Sequence, residues 1–415
     1  MNSDILILSG VKGDTRRYRT FHLFEQFQLA GVPCQLSHAT DPKLIDKLSH
    51  ASIVFLHRVT YDSLVNRLFD IVRERDILAI LDSDDLTFDP NSFRWIDSPD
   101  FTDPVRSQLY QDDLRRNSLT LENCRAATVS TEYLADQISI FGKPSWVHRN
   151  AFSLEMLDIS EDAYAAKAEK PRKVIIGYAS GTATHDRDFT VAKPALIKTL
   201  RKYSHVELWL LGPIDPGDDW GDLAERIRHI NLVPWRRLPS LLCQFDINIA
   251  PLVADNPFSQ SKSEIKYMEA GLVRVPTIAS SISAFRYAIR SGENGWLAES
   301  NQDWETSLCE LVEDSGLRDQ MGAQAYQDVV TRYNPQVRSR ELISTTSQIV
   351  EKFKFPKFDP LPRTNQALEK ITPEYERHPS YLQMGIYSLR HRGWKTLLKQ
   401  IWIYIRRLLA PIFPF

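Results

Sequence analysis

Two loops in the second half of the sequence combine small residues with cations in a way that suits a phosphate. Ser180-Gly181-Thr182-Ala183-Thr184-His185-Asp186-Arg187 follows the apolar run Val174 to Tyr178 and leads into a helical pattern from Phe189. Gly181 and Thr182 let the backbone approach a ligand, a helix N-terminus offers unpaired N–H groups, and Arg187 presents a fork that matches phosphate oxygens. The same letters make an ordinary turn and cap, with Arg187 paired to Asp186 or Asp188. The second loop follows Ile247 to Ala250 and reaches Lys262-Ser263-Glu264-Ile265-Lys266-Tyr267-Met268-Glu269. A helix beginning at Lys262 or Ser263 sets Lys262 at the positive end of its dipole, with Lys266 one turn further on the same side. Glu269 then lies two turns in, where its two oxygens can accept both hydroxyls of a ribose. A solvated surface helix would use Glu264, Lys266 and Glu269 equally well.

The first half holds a glycine loop and two charged clusters. Ser9-Gly10-Val11-Lys12-Gly13-Asp14-Thr15-Arg16-Arg17-Tyr18-Arg19 follows the first apolar run. Its glycines do not make the G-x-G-x-x-G fingerprint, which argues against a dinucleotide oxidoreductase. The three arginines span one turn and point in different directions, so one or two can reach a ligand. Arg16 is the expected contact and the others are expected in salt bridges. His57-Arg58 follow Ile53 to Leu56, and Asp82-Ser83-Asp84-Asp85 follow Ile77 to Leu81. Three adjacent carboxylates repel one another, so one is expected to have a raised pKa and to bind hydroxyls or handle a proton. A solvated turn with an Asp cap explains the same letters, and so does a phospho-relay pocket or a Mg²⁺ site.

All these loops lie between elements of one rhythm. Short β-rich runs alternate with helix-period segments from Ile5 to about 152, and again from Lys173 to about 350, which predicts two α/β domains with parallel sheets. Ligands bind outside the carboxyl ends of such strands, where these loops fall. The charged, alanine-rich stretch 153–172 reads as a linker, giving domains 1–152 and 173–350. At 415 residues the chain exceeds one ordinary core, and 43% hydrophobic with 25% charged residues is a soluble globular balance. A net charge of -2 gives no footprint for nucleic acid. The four cysteines show no C-x-x-C spacing and read as reduced structural thiols.

The stretch KSEIKYMEAGLVRVPTIASSISAFRYAIRSGENGWLA resembles the donor-binding signature of glycosyltransferase family 4, of group 1 type, through Glu269, Ala270, Pro276, Ile289, Gly292, Gly295 and Leu297. The resemblance implies a GT-B fold, two Rossmann-like domains facing each other across a cleft. It also implies transfer of a sugar from a nucleotide diphosphate to a glycan or lipid-linked acceptor, with retention and without a metal or other cofactor. A non-catalytic sugar-nucleotide or glycan-binding subunit on the same fold is the alternative. The family's paired acidic motif has its second glutamate at Glu269, while its first maps to Ser261, leaving Glu264 or Gln260 to take that role. Arg274 stands where the family has glycine. The family's basic pair is matched by Arg187 and Lys262, so Arg187, Lys262 and Glu264 are the expected catalytic residues. Gly181, Thr182, Lys262 and Glu269 are expected to hold the donor from one side. Gly13 and Arg16 face it from the other, with His57, Asp84 and Asp85 on the acceptor side.

Residues 351–415 form a proline-rich segment and a basic amphipathic helix. Over 394–409, Trp394, Leu397, Leu398, Ile401, Trp402, Ile405, Leu408 and Leu409 share a face, with Lys395, Lys399, Arg406 and Arg407 beside it. This pattern predicts contact with an anionic membrane surface, against the alternative that the face packs back on the core. The N-terminus has no basic signal-peptide region, so a cytoplasmic protein is expected, peripheral on the inner face of the membrane.

Overall fold

The computed structural model of the chain describes residues 4–11, 15–167, 173–355 and 381–409. Two six-stranded parallel sheets form its frame. The first contains β1 (Asp4–Ser9), β2 (Cys34–His38), β3 (Ala51–His57), β4 (Leu78–Ser83), β5 (Ala126–Val129) and β6 (Ser145–Val147), in the order β2-β1-β3-β4-β5-β6. The second contains β7 (Val174–Ala179), β8 (Val206–Leu211), β9 (Ile227–Ile230), β10 (Ile247–Ala250), β11 (Thr277–Ser280) and β12 (Trp296–Ala298), in the order β12-β11-β10-β7-β8-β9. Parallel strands need helical crossovers, which cover both faces and make the strands apolar throughout. In β3, Val54 and Leu56 enter one core with Leu6, Leu8, Ala79 and Leu81, whereas Ile53 and Phe55 enter the other with Ile5, Ile7 and Ile80.

Strand order fixes where a ligand can sit. The direction of strand addition reverses between β1 and β3 in the first sheet and between β7 and β10 in the second, and a crevice opens at each reversal. Asp62 marks the start of one covering helix, Ser63–Glu74, accepting from the amides of Leu64 at 3.0 Å and Val65 at 3.1 Å.

Two helices pass between the sheets. The stretch expected as linker contains the helix Leu154–Ala165, capped by Ser153, whose hydroxyl accepts from the Met156 amide at 3.1 Å. It packs on the second sheet's side through Met156 and Ala163. The helix Pro335–Lys352 returns to the first sheet, where Leu342, Ile349 and Val350 share a core with Ile5, Ile7, Phe24 and Phe27. Although it follows the second sheet in sequence, its apolar stripe is buried under the first. A last pair of helices, Tyr381–Tyr387 and Trp394–Leu409, lies on the outside of the first domain.

Candidate functional site

The two strand reversals open onto one cavity of about 430 Å³. From the first sheet it is lined by Thr15, Arg17, Tyr18, Arg58, Asp84, Asp85 and Tyr110, and from the second by Ala179 to Thr182, His185, Trp235, Lys262, Lys266 and Glu269. The groups are carried by loops at the strands' carboxyl ends and by helices that follow them, Tyr110 on Pro104–Asn123 and Lys266 and Glu269 on Ile265–Leu272. Gly10 lets the first loop pass close to the third, since a Cβ at Gly10 would lie 2.3 Å from the Arg58 carbonyl oxygen. Arg58 itself has a φ of 48°, a left-handed conformation uncommon outside glycine, and it is held there by its ion pairs.

On the second sheet's side the wall is cationic at one end and aromatic at the other. Residues Pro257–Gln260 make a short separate helix, and the main helix runs from Ile265 to Leu272. The helix therefore starts later than its sequence suggests, and Lys262 stands on the turn before it. The Lys262 ammonium lies 4.0 Å from the centre of the Phe258 ring and 2.9 Å from both oxygens of Asp85. Lys266 donates to the Ala179 carbonyl, and burial pushes its pKa down to about 8, with Lys262 adding to the shift against the opposing pull of Glu269 and Asp188. His185 gives its Nδ1 to Asp188 at 2.8 Å, and burial holds its pKa below the usual histidine range. Glu269 accepts from the Tyr18 hydroxyl and from Arg17, whose Nη2 is 3.4 Å away. The Arg17 guanidinium also stacks on Trp235 at 4.8 Å.

The acidic cluster behaves differently from the expectation of mutual repulsion. Each carboxylate has its own cation. Asp82 is buried in a double contact with Arg19, at 2.5 and 2.9 Å, and accepts from Thr128 at 2.7 Å. Asp84 meets Arg58 at 2.8 Å and His57 at 3.4 Å. Burial alone would raise its pKa, but Arg58 and His57 outweigh it and hold the carboxyl well below the usual range. Asp85 is shared by Lys262 and by Arg58, at 3.1 Å, so a carboxylate of the first domain spans the cleft.

The structure brings together Gly181, Thr182, Lys262, Glu269, Asp84 and Asp85 among the residues singled out from the sequence. It removes others. Arg187 is exposed and outside the cavity, because the helix Asp186–Thr190 turns its side chain to solvent. Arg16 is buried against Phe21 at 5.1 Å, and Arg17, one position on, faces the cleft instead. Glu264 is 2% exposed and tied to Arg149 at 3.1 Å and to the Tyr333 hydroxyl at 3.0 Å, so it serves the interior rather than the cavity. Gln260 donates to the Ala254 carbonyl at 2.5 Å. Neither supplies the carboxylate absent at Ser261. The carboxylate nearest that position is Asp85 of the first domain, accepting from the Ser261 hydroxyl at 3.2 Å. His57 is fully buried behind Asp84 and supports it without reaching the cavity. Gly13 lies outside the described residues.

Sequence reasoning missed Tyr18 and His185, and it noted Arg17, Arg58 and Lys266 without placing them in the site. Lys266 was visible as the partner of Lys262 one helical turn away, and Arg58 as the neighbour of His57. Arg274, at the position where glycine is usual, has a φ of 57°. That backbone explains the glycine preference, and here Arg274 is held by Tyr164 and Tyr326, each 3.9 Å from its guanidinium, and by Glu161 at 3.2 Å. Among the described residues no group of three His, Cys, Asp or Glu side chains could hold a metal ion.

Two parallel α/β sheets facing one cleft define the GT-B architecture. Residues 174–314 match the family model described as glycosyl transferases group 1, and the chain is a glycosyltransferase in class. Solved structures share the fold. HepE of Anabaena, solved with UDP and glucose, has a TM-score of 0.56 at 12% identity, covering 83% of this chain and 100% of that one. Sucrose-phosphate synthase of Thermosynechococcus elongatus has a TM-score of 0.57 at 13% identity, covering 84% and 100%. A glycosyltransferase of Rickettsia africae has a TM-score of 0.59 at 12% identity, covering 84% and 99%. Comparison with curated proteins gave no match.

Proposed function

We propose that the chain moves a sugar from a nucleoside diphosphate to an acceptor hydroxyl held in the cleft, by the retaining route of glycosyltransferase family 4. One observation carries this reading: a single cavity joins two lysines, a small-residue loop and an accessible carboxylate of one sheet to arginines and carboxylates of the other. The HepE neighbour, solved with UDP and glucose, is in keeping with such a donor. The base lies against Trp235, Leu232 and Val233, and the ribose hydroxyls bind Glu269. The diphosphate rests on Lys262, Lys266 and the Gly181–Thr182 loop, and the sugar reaches towards His185, Asp84 and Asp85. With its Nδ1–H on Asp188, neutral His185 offers Nε2 as an acceptor for a hydroxyl. Donor entry displaces Tyr18 and Arg17 from Glu269 and Asp85 from Lys262.

In the transfer, the acceptor oxygen attacks the anomeric carbon from the face the diphosphate leaves. The bond between that carbon and the phosphate oxygen breaks, and the departing oxygen takes the acceptor proton. The protein supplies positive charge at the leaving group, orientation and exclusion of water. The two ammonium groups do what a divalent cation does in other transferases, so turnover is expected to survive a chelator. The acceptor is a glycan or a lipid-linked hydroxyl, and the latter also matches the apolar C-terminal face.

The test is release and transfer of sugar from a panel of nucleoside diphosphate sugars, with binding of the nucleotides measured alongside. One donor is expected to be turned over in a manner that depends on Lys262. Nucleotide binding with no turnover for any donor and a range of glycan acceptors would identify a binding subunit instead. No nucleotide binding at all would end the proposal.

A further inference from the structure

The last helix of the chain turns its apolar face outward. In Trp394–Leu409, Trp394, Leu398, Ile401, Trp402 and Ile405 recur at spacings of three and four, and all are exposed, Trp394 by 60%. The opposite side is half-buried and mixed in character, with Leu397 and Ile403 beside Gln400, which accepts from the Ser388 hydroxyl at 2.6 Å, and Thr396, which donates to the Arg392 carbonyl at 3.1 Å. A helix lying on a water-soluble domain is arranged the other way round. The preceding helix extends the same surface, with Leu382 74% exposed and Ile386 and Leu389 beyond it.

This hairpin is firmly seated. The Tyr387 hydroxyl donates to Asp62 at 2.6 Å, Ser63 meets His391 at 3.1 Å, and Arg392 pairs with Asp113 at 3.3 Å and Asp62 at 3.7 Å. These contacts hold the hairpin on the first domain while Trp394, Leu398, Ile401, Trp402 and Ile405 keep 42–60% of their surface exposed. The charge beside it has one sign. Residues 381–409 contain no Asp or Glu, and Arg390, Lys395 and Lys399 border the exposed stripe.

We infer that this face seats the protein on an anionic lipid surface, independently of the sugar chemistry in the cleft. Apolar side chains and the bodies of two tryptophans enter the boundary of the acyl chains, while the bordering lysines reach anionic headgroups along their own stems. A second copy of the chain fits the face less well, because a two-fold contact would set both basic borders against each other. Among the described residues no helix is long and apolar enough to cross a membrane, so this contact lies on the surface.

The test is flotation of the full chain with phosphatidylcholine vesicles, with and without phosphatidylglycerol. Binding is expected only with phosphatidylglycerol. The double variant Trp402→Glu, Ile405→Glu is expected to lose it, and Lys395→Glu with Lys399→Glu to weaken it by at least about tenfold. Because these side chains are exposed, melting temperature and nucleotide binding in the cleft stay unchanged. The inference fails if the full chain does not float with anionic vesicles, or if neutral vesicles bind it equally well. It also fails if sedimentation shows a dimer that Trp402→Glu, Ile405→Glu abolishes while vesicles bind nothing.

Discussion

Replacing Lys266 by methionine separates what this residue contributes to binding from what it costs the fold. Its pKa falls from 10.5 to about 8, chiefly because burial disfavours the ammonium. The folded chain therefore holds a charge that the unfolded chain holds more easily. The penalty is complete at pH 7, where both states are protonated, and it fades as pH rises from about 8 towards the unfolded value. A shift of this size corresponds to about 3 kcal/mol as an upper limit. Partial exposure to the cavity, the bond to the Ala179 carbonyl and the Tyr178 ring 5.0 Å away reduce the expected gain in Lys266→Met to about 1–2 kcal/mol. Urea denaturation at pH 7 and again near pH 10 measures it, with the full gain expected at the lower pH and about a quarter of it at the higher. Calorimetry on the same protein should show nucleoside diphosphate affinity reduced by at least about tenfold, the loss of one charge-assisted contact. In the wild type, affinity should decline above pH 8 as Lys266 loses its proton. If Lys266→Met is less stable at pH 7, or if its gain is the same at both pH values, burial is not the main influence on this lysine.

Other substitutions probe neighbouring contacts. Lys262→Ala should lose about 2–4 kcal/mol of transition-state stabilisation in kcat/KM, whereas Arg187→Ala, outside the cavity, should turn over at close to the wild-type rate. Asp85→Asn frees Lys262 from its partner, so nucleoside diphosphate should bind several-fold more tightly while kcat falls; weaker binding would contradict the competition between Asp85 and phosphate. Glu264→Gln leaves Arg149 buried without its carboxylate and should destabilise the fold by about 3 kcal/mol in denaturant titration, with KM unchanged in the folded fraction. Gly10→Ala should both lower the melting temperature and weaken donor binding, because the added carbon displaces Arg58.

The strands were legible because parallel strands covered on both faces are apolar along most of their length, as Ile53 to Leu56 and Ile247 to Ala250 show. The less apolar strands lie at the sheet edges, where β2 carries Gln35, Ser37 and His38 and β9 carries Arg228 and His229. The 153–172 stretch hid a helix because its charged residues read as a linker although its alanines favour helix. The cavity was legible as loops at strand ends but not as a set of contacts. Which arginine of Arg16, Arg17 and Arg19 faces the cleft depends on a turn of π-helix over Arg17–Phe21, which no periodicity announces. That Glu264 is interior while Asp85 lies beside Ser261 depends on how the two sheets meet. Such a pairing joins residues 176 positions apart and leaves no local trace.

The buried contact among Arg149, Glu264 and Tyr333 has a mechanical side. The chain passes from the first sheet to the second just after Arg149 and returns just after Tyr333, and both residues grip the same carboxylate. Two strands of covalent chain pinned side by side make a door hinge rather than a swivel, since they permit rotation about one line and resist twisting about any other. Glu264 is the pin. Opening the cleft to admit a donor would then swing Lys262 away from Asp85 along a fixed arc and bring it back to the same place. The two halves of the site would meet again in register after every turnover.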